Sequence, residues 1–364
     1  MKQGYAIPAR SIETHLLLDA VDREVRSTFE RYAPDAQEFS AMVAYHLGWA
    51  DLGQPPAQPG KRVRALLTLL SASAAGGDWA DALPLAAAVE LLHNFSLVHD
   101  DIQDGAMVRR GRPSVWAKWG AGHAINAGDT LFALAHLAVQ RASSLPAQQR
   151  LMAVELLDEA CVKLGEGQYR DMAFEKRTDV SVTDYMGMAT GKTATLTGLA
   201  AEFGGLAVNA EGRITSCLKE FGLHIGLAFQ IRDDILGIWG EPASIGKPRS
   251  DINGRKMTLP VIYGLAESPE LRRRFEAVED DGIGVPDVVQ LLEQTDARTH
   301  SLRDLEYQVG LALDYLDAAR PGKEAGNLLR QLALSLLTKM PGGAGPIERP
   351  SVTMGPRREK ARAH

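Results

Sequence analysis

Two stretches of the chain hold paired carboxylates. "LVHDDIQDG" carries Asp100, Asp101 and Asp104, and "FQIRDDILGIWGE" carries Asp233 and Asp234. On a helix, Asp100 and Asp104 share a face with Cβ atoms ~5–6 Å apart. Carboxylates that close repel one another and raise each other's pKa. Water on an exposed face would relieve this, but the surrounding sequence is apolar and offers little sign of a solvated side. A hard divalent cation is the natural alternative. Magnesium is usually held by one or two carboxylates, several waters and substrate phosphates. The second pair is incomplete, with Gly237 where a carboxylate would repeat. Lys247 and Asp251 follow it within "GEPASIGKPRSD".

Basic residues sit next to these pairs. "GKRVRALL" supplies Lys61, Arg62 and Arg64, and "MVRRGRPSVW" supplies Arg109, Arg110 and Arg112 directly after the first aspartates. Lys192, Lys247 and Lys256 are further candidates. Arginine suits bidentate contact with phosphate. Each cluster alone reads as solvated surface, but carboxylates, metal and cations together describe a diphosphate site. Two phosphate-binding patterns fail. "GMATGKTA" has three residues, not four, between Gly187 and Gly191, and no strand precedes it. "GEGQYR" has Arg170 where a dinucleotide fingerprint needs its third glycine.

The elements that must position these residues read as helices. "LPLAAAVELLHNFSLVHDDIQD" is apolar nearly all round, as a buried helix is. "INAGDTLFALAHLAVQRAS", "RLMAVELLDEACVKLGEGQYRDMAFEK", "TATLTGLAAEFGGLAV" and "ITSCLKEFGLHIGLAFQIRDDILGIWG" share the three-and-four spacing. Gly and Pro punctuate between them. The expectation is one all-α domain over residues 1–340. The Gly-, Pro- and Arg-rich stretch 341–364 is expected to be a tail outside it. A chain of 364 residues with 45% hydrophobic and 24% charged residues can bury a large core. A net charge of -6 gives no reason to expect nucleic acid as a partner. Only Cys161 and Cys217 occur, which suits a reducing cytosol and excludes a disulfide framework. We read no signal peptide and no apolar run approaching the ~20 residues of a membrane span.

"GKRVR", "HNFSLVHDDIQDGAMVRRG", "GQYRDM", "GKTA", "FQIRDDILGIWG" and "GKPRSDI" occur in one order and spacing. In these motifs, over roughly residues 20 to 340, the chain resembles the trans-isoprenyl diphosphate synthases, or polyprenyl synthetases. The resemblance implies a helical bundle around a deep central cavity, usually as a homodimer, with two aspartate motifs facing each other across its mouth. It implies three magnesium ions. Asp100 and Asp104 would bind magnesium with help from Asp171, and Asp233 would take the third ion, with Asp234 and Asp251 behind it or acting through water. Arg109, Lys192 and Lys247 would hold the allylic diphosphate. Lys61, Arg64, His93 and Arg110 would hold isopentenyl diphosphate. Thr193 and Gln230 would line the reacting carbons.

Phe95, five residues before Asp100, would floor the product pocket, a combination that resembles geranylgeranyl diphosphate synthases. An ideal helical wheel instead places Ser96 nearer the aspartate face, so that assignment rests on the resemblance. A farnesyl or twenty-five-carbon product is the alternative. A terpene cyclase would have no need of the second basic cluster. A non-catalytic subunit of a hetero-oligomeric prenyltransferase would be expected to lose metal ligands.

Overall fold

The computed structural model describes residues 13–49, 60, 62–240, 255–276 and 285–338. Lys61, Lys247, Asp251 and the expected tail lie outside the described residues. The described chain is helical throughout, apart from one two-residue hairpin. In order, α1 is Thr14–Tyr32, α2 Gln37–Leu47, α3 Val63–Ala74 and α4 Leu83–Gln103, the last entered through a short 3-10 turn at Trp79–Ala82. The hairpin pairs β1 (Val108–Arg109) with β2 (Arg112–Pro113), antiparallel. Then come α5 (Val115–Trp119), α6 (Ala121–Gln140), α7 (Ala147–Phe174) and α8 (Val182–Ala189). A π-helical turn at Thr190–Ala194 leads into α9 (Thr195–Ala207), followed by α10 (Gly212–Trp239). The last described helices are α11 (Leu259–Glu267), α12 (Pro269–Glu276), α13 (Val285–Glu293), α14 (Ala297–Ala319) and α15 (Lys323–Ser335).

The five long stretches read as helices lie on α4, α6, α7, α9 and α10. Leu85 through Leu92 of α4 are buried on every face, Glu90 among them. That helix packs chiefly on α6, while α10 packs on α9 and α14. Packing of this kind explains a difference from the sequence expectation on membranes. The stretch Trp79–Gln103 is long and apolar enough to cross a bilayer, but about 67% of its most apolar window is buried inside the fold. It is a core helix whose lipid-like composition answers to protein neighbours.

The rejected "GMATGKTA" stretch has a structural explanation. Its second half is the π turn, a widened turn of the kind often found at functional sites. A Cβ added at Gly167 of α7 would lie 2.2 Å from the Lys192 backbone nitrogen. One added at Gly191 would lie 2.7 Å from the Lys163 carbonyl oxygen. Gly167 of "GEGQYR" and Gly191 of "TGKTA" therefore serve one helix crossing at backbone contact, and that crossing sets where Lys192 and Thr193 project.

Candidate active site

α4 ends at the first aspartate motif. Asp104 caps it, its N–H donating to the Asp100 carbonyl at 2.8 Å. A helix C-terminus carries partial negative charge, so carboxylates there need cations more than they would elsewhere. The three aspartates do not share one fate. Asp101 is buried, and the Arg109 guanidinium covers it with Nε at 2.9 Å from both carboxylate oxygens and Nη2 at 2.6 Å. Asp100 and Asp104 stay on the open side. Burial pushes the Asp100 carboxyl up to about 6; Lys192 opposes this and the neighbouring Asp104 adds to it.

A chain of charges leads from here to α7. Lys256 Nζ lies 3.4 Å from Asp104 Oδ2 and 3.4 Å from Asp171 Oδ2. Lys192 also pairs with Asp171. Burial pushes the Asp171 carboxyl up, but the two lysines outweigh it and hold it below the usual range. Asp171, Lys192 and Lys256 line a cavity of about 170 Å³ together with Gln230, Asp233 and Asp234, among others. Gln168, one turn before Asp171, is buried with neither amide atom hydrogen-bonded among the described residues.

The second pair divides as the first does. The Asp233 side chain is half exposed, with Arg232 at 4.0 Å. Asp234 is buried and takes protein donors on both oxygens. Tyr185 Oη donates at 2.7 Å and the Leu259 N–H at 3.0 Å to Oδ2, and Gln230 Nε2 donates at 2.9 Å to Oδ1. The fully buried Tyr185 hydroxyl is held protonated, first by burial and then by the Asp234 charge. Thr193 Oγ1 donates at 2.7 Å to Gln230 Oε1. A single line of hydrogen bonds thus runs Thr193–Gln230–Asp234–Tyr185. It ties the π turn to α10 and α8 and fixes which end of the Gln230 amide faces Thr193.

The carboxylates suit a hard cation. Their ligating atoms are all oxygen, and Lys192 and Lys256 pair with Asp171 and Asp104. No three described carboxylate, His or Cys side chains gather into a ready-made cage. That suits magnesium better than a caged ion, because magnesium relies on water and substrate phosphate for most of its ligands.

The basic residues form a separate group further up α4. Arg64 Nη1 donates to His93 Nε2 at 3.2 Å. An arginine can only donate, so that nitrogen accepts and the ring proton sits on Nδ1. Burial pushes the His93 pKa well below its usual value, and Arg64 and Arg110 push it further, so the ring is neutral. Burial also lowers the Arg64 guanidinium, with the Glu90 and Asp233 charges opposing. Arg110 stands at φ 52° in the hairpin turn, and its guanidinium reaches Asn94 Oδ1 and the His46 carbonyl, each at 3.4 Å. His46 was not anticipated; burial first, then the Arg110 charge, push its pKa down to about 3. Glu90 and Asn94 were also missed as site residues, although both stand in the quoted "LPLAAAVELLHN" run, where an acidic residue in an apolar helix was the available signal. Phe95 is half-buried, with ring centroids 5.3 Å from Phe132 and 4.7 Å from His99. Ser96 is buried and donates to the His93 carbonyl at 2.9 Å.

The polyprenyl synthetase family pattern matches residues 53–294. The chain belongs to the polyprenyl synthetase family. Within it, the chain is 44% identical over 246 residues to a geranylgeranyl diphosphate synthase of Mycobacterium tuberculosis, covering 66% of this chain and 69% of that one. It is 46% identical over 239 residues to a (2E,6E)-farnesyl diphosphate synthase of the same species, covering 65% and 66%. The matched region therefore spans about two thirds of those relatives' own length. A crystal structure of a polyprenyl synthetase from Streptomyces coelicolor superposes with a TM-score of 0.80 at 33% identity, covering 88% of this chain and 98% of that one. The family and the all-α isoprenoid synthase fold are thus shown, and the chain is a trans-prenyltransferase by membership.

Proposed function

We propose that the chain condenses isopentenyl diphosphate with allylic diphosphates of five to fifteen carbons, giving mainly the twenty-carbon geranylgeranyl diphosphate. One observation carries the reading. α4 presents His93, at the arginine cluster, and Asp100, at the carboxylate cluster, seven residues apart. That separation is ~10 Å along a helix, so one rigid element would hold two diphosphates with a short hydrocarbon gap between them.

In this reading Asp100, Asp104, Asp171 and Asp233 would hold magnesium ions, and Asp234 and Asp251 would support them. Bound magnesium would supply charge neutralisation for a departing diphosphate. Lys192 and Lys256 both pair with Asp171; in this reading they hold that diphosphate, and Lys247 and Arg109 join them. Thr193 Oγ1, its proton directed to Gln230, offers a lone pair to the allylic cation. The Gln230 amide, fixed by Asp234, adds an oriented dipole. Such preorganised dipoles stabilise developing charge without reorganising. Arg64, His93 and Arg110, with Lys61, hold isopentenyl diphosphate so that its double bond faces the cation. The proton released afterwards goes to the freed diphosphate.

We infer a homodimer, supported by the exposed stripe of Leu151, Val162 and Tyr169 on α7. The free thiols of Cys161 and Cys217 suit a reducing cytoplasm.

The test is incubation with isopentenyl diphosphate, magnesium and each of the five-, ten- and fifteen-carbon allylic diphosphates, followed by chromatography of the dephosphorylated products. A twenty-carbon alcohol is expected from all three. No product from any starter would favour a non-catalytic subunit. Product from an allylic diphosphate alone would favour a cyclase. In the same assay Phe95→Ala, which removes a ring from the Phe95–Phe132 contact, should lengthen the product by at least one five-carbon unit. Unchanged chain length would remove Phe95 from the floor.

A further inference from the structure

Glu90 has no place in the chemistry above, yet its burial is unusual. It is 5% exposed, in the middle of α4. Its Oε1 accepts from Asn94 Nδ2 at 3.1 Å, and the same nitrogen donates to the Glu90 carbonyl at 2.8 Å. Its Oε2 has no hydrogen-bond donor among the described residues. The side chain lines a small closed pocket together with Gly60, Arg62, Asn94 and Arg110.

A buried carboxylate with an unsatisfied oxygen is costly unless opposite charge stands close by. The neighbouring cations are not equivalent. Arg62 already has Asp22 at 2.6 Å. Among the described residues, the hydrogen bonds of Arg64 and Arg110 are with neutral groups: the His93 ring for Arg64, and the His46 carbonyl and Asn94 amide for Arg110. Glu90 is the first charge opposing the effect of burial on both guanidinium groups. It also selects the Asn94 amide orientation. With Nδ2 donating twice to Glu90, Oδ1 is left facing Arg110.

We propose that Glu90 is the resident counter-charge and positioning residue of the isopentenyl diphosphate site. In the empty enzyme its carboxylate balances Arg64 and Arg110 and, through Asn94, aims Arg110; an arriving diphosphate takes over the balancing. This rests on the reading of Arg64, His93 and Arg110 as that site. The carboxylate touches neither substrate. It makes the empty site stable and also opposes the incoming anion, so it limits how tightly the site holds its ligand.

Glu90→Gln keeps the size of the side chain and an acceptor for Asn94 while removing the charge. Three results are expected: a lower Tm without ligand, a larger rise in Tm than wild type on adding isopentenyl diphosphate, and a KM for isopentenyl diphosphate lowered by about threefold or more. The KM for the allylic diphosphate should move by less than about twofold, since charges beyond a Debye length are screened. An unchanged or raised KM for isopentenyl diphosphate, or equal changes in both KM values, overturns the proposal and leaves Glu90 a packing residue. Should Glu90→Gln not fold, the double variant Glu90→Gln/Arg110→Gln, with both charges gone, is expected to recover a folded protein. A double variant no more stable than the single one overturns the proposal. Arg110→Gln alone reports on the site itself. An unchanged KM for isopentenyl diphosphate in that variant would show the site misassigned, while the coupling of Glu90 to Arg110 would still be read in the Tm values.

Discussion

Adjacent aspartates with the same side chain do different work here, and the difference is set by what each one meets. Asp101 and Asp234 are buried on protein donors, while Asp104 and Asp233 stay open. Asp233→Ala should therefore abolish turnover, by about a thousandfold or more where a charge-stabilising group is lost. Gly237→Asp, one turn further along α10, should change it by less than about threefold, since the reading needs no carboxylate there. Steady-state rates of the two variants decide this, and a near-normal rate for Asp233→Ala would remove it from the site. Asp100 supports a second prediction, on pH. Its carboxyl is raised from 3.8 to about 6, so the folded chain binds this proton more tightly than the unfolded chain. The stability from that proton is fully present below pH 3.8 and is lost as pH rises through about 6. In metal-free protein, Asp100→Asn should then stabilise the fold at pH 7.5, by no more than about 3 kcal/mol, seen as a higher Tm, and leave Tm nearly unchanged at pH 4. Thermal unfolding with chelator at both pH values measures this. A lower Tm for Asp100→Asn at pH 7.5 would show that Lys192 and Lys256 already overcompensate the burial.

At the scale of elements, the π turn is the positioning device. It presents Lys192 toward Asp171 and Thr193 toward Gln230, and it lies against α7 through Gly167 and Gly191. Gly167→Ala would force a methyl into the Lys192 backbone. Overpacking of this kind costs about 1–3 kcal/mol, and here it should also lower kcat, because the backbone that must yield carries the site. Gly165→Ala, two residues earlier on the same helix with nothing within 4 Å of the added Cβ, is the control. Melting curves and rates should separate the two. Equal behaviour would mean that the crossing has slack. The π turn itself was not legible in "GMATGKTA", because a single inserted residue in a helix leaves the apolar periodicity on either side nearly intact. The glycines were legible as unusual, but their purpose was not, since it depends on two segments about 24 residues apart in sequence meeting at one point.

For the whole molecule, the open question is association. Leu151, Val162 and Tyr169 are 67%, 73% and 71% exposed. Spacings of eleven and seven residues put them on one face of α7, at about three and two helical turns. A lysine there should be nearly neutral for a monomer, within about 0.5 kcal/mol, but should dissociate a dimer that uses this face. Val162→Lys is expected to halve the mass seen by light scattering on a sizing column while the fold persists. A wild-type protein that already runs as a monomer, or a variant that stays dimeric, would move the interface elsewhere.

The sequence by itself determined the helical class, because three-and-four apolar spacing admits few other packings. It also determined which residue types must meet phosphate and metal, because clustered carboxylates and arginines need one another's charge. The order and spacing of six short motifs carried the family. Only the tertiary structure decided which aspartate of each pair is buried on protein donors, that Arg109 covers Asp101, and that His93 is neutral under Arg64. It also decided that Glu90, outwardly one more residue of an apolar helix, stands among the arginines. These outcomes depend on burial and on donors brought from distant segments, which a linear pattern does not encode. A carboxylate's role is set by the dielectric and the partners around it, and both exist only once the helices have packed.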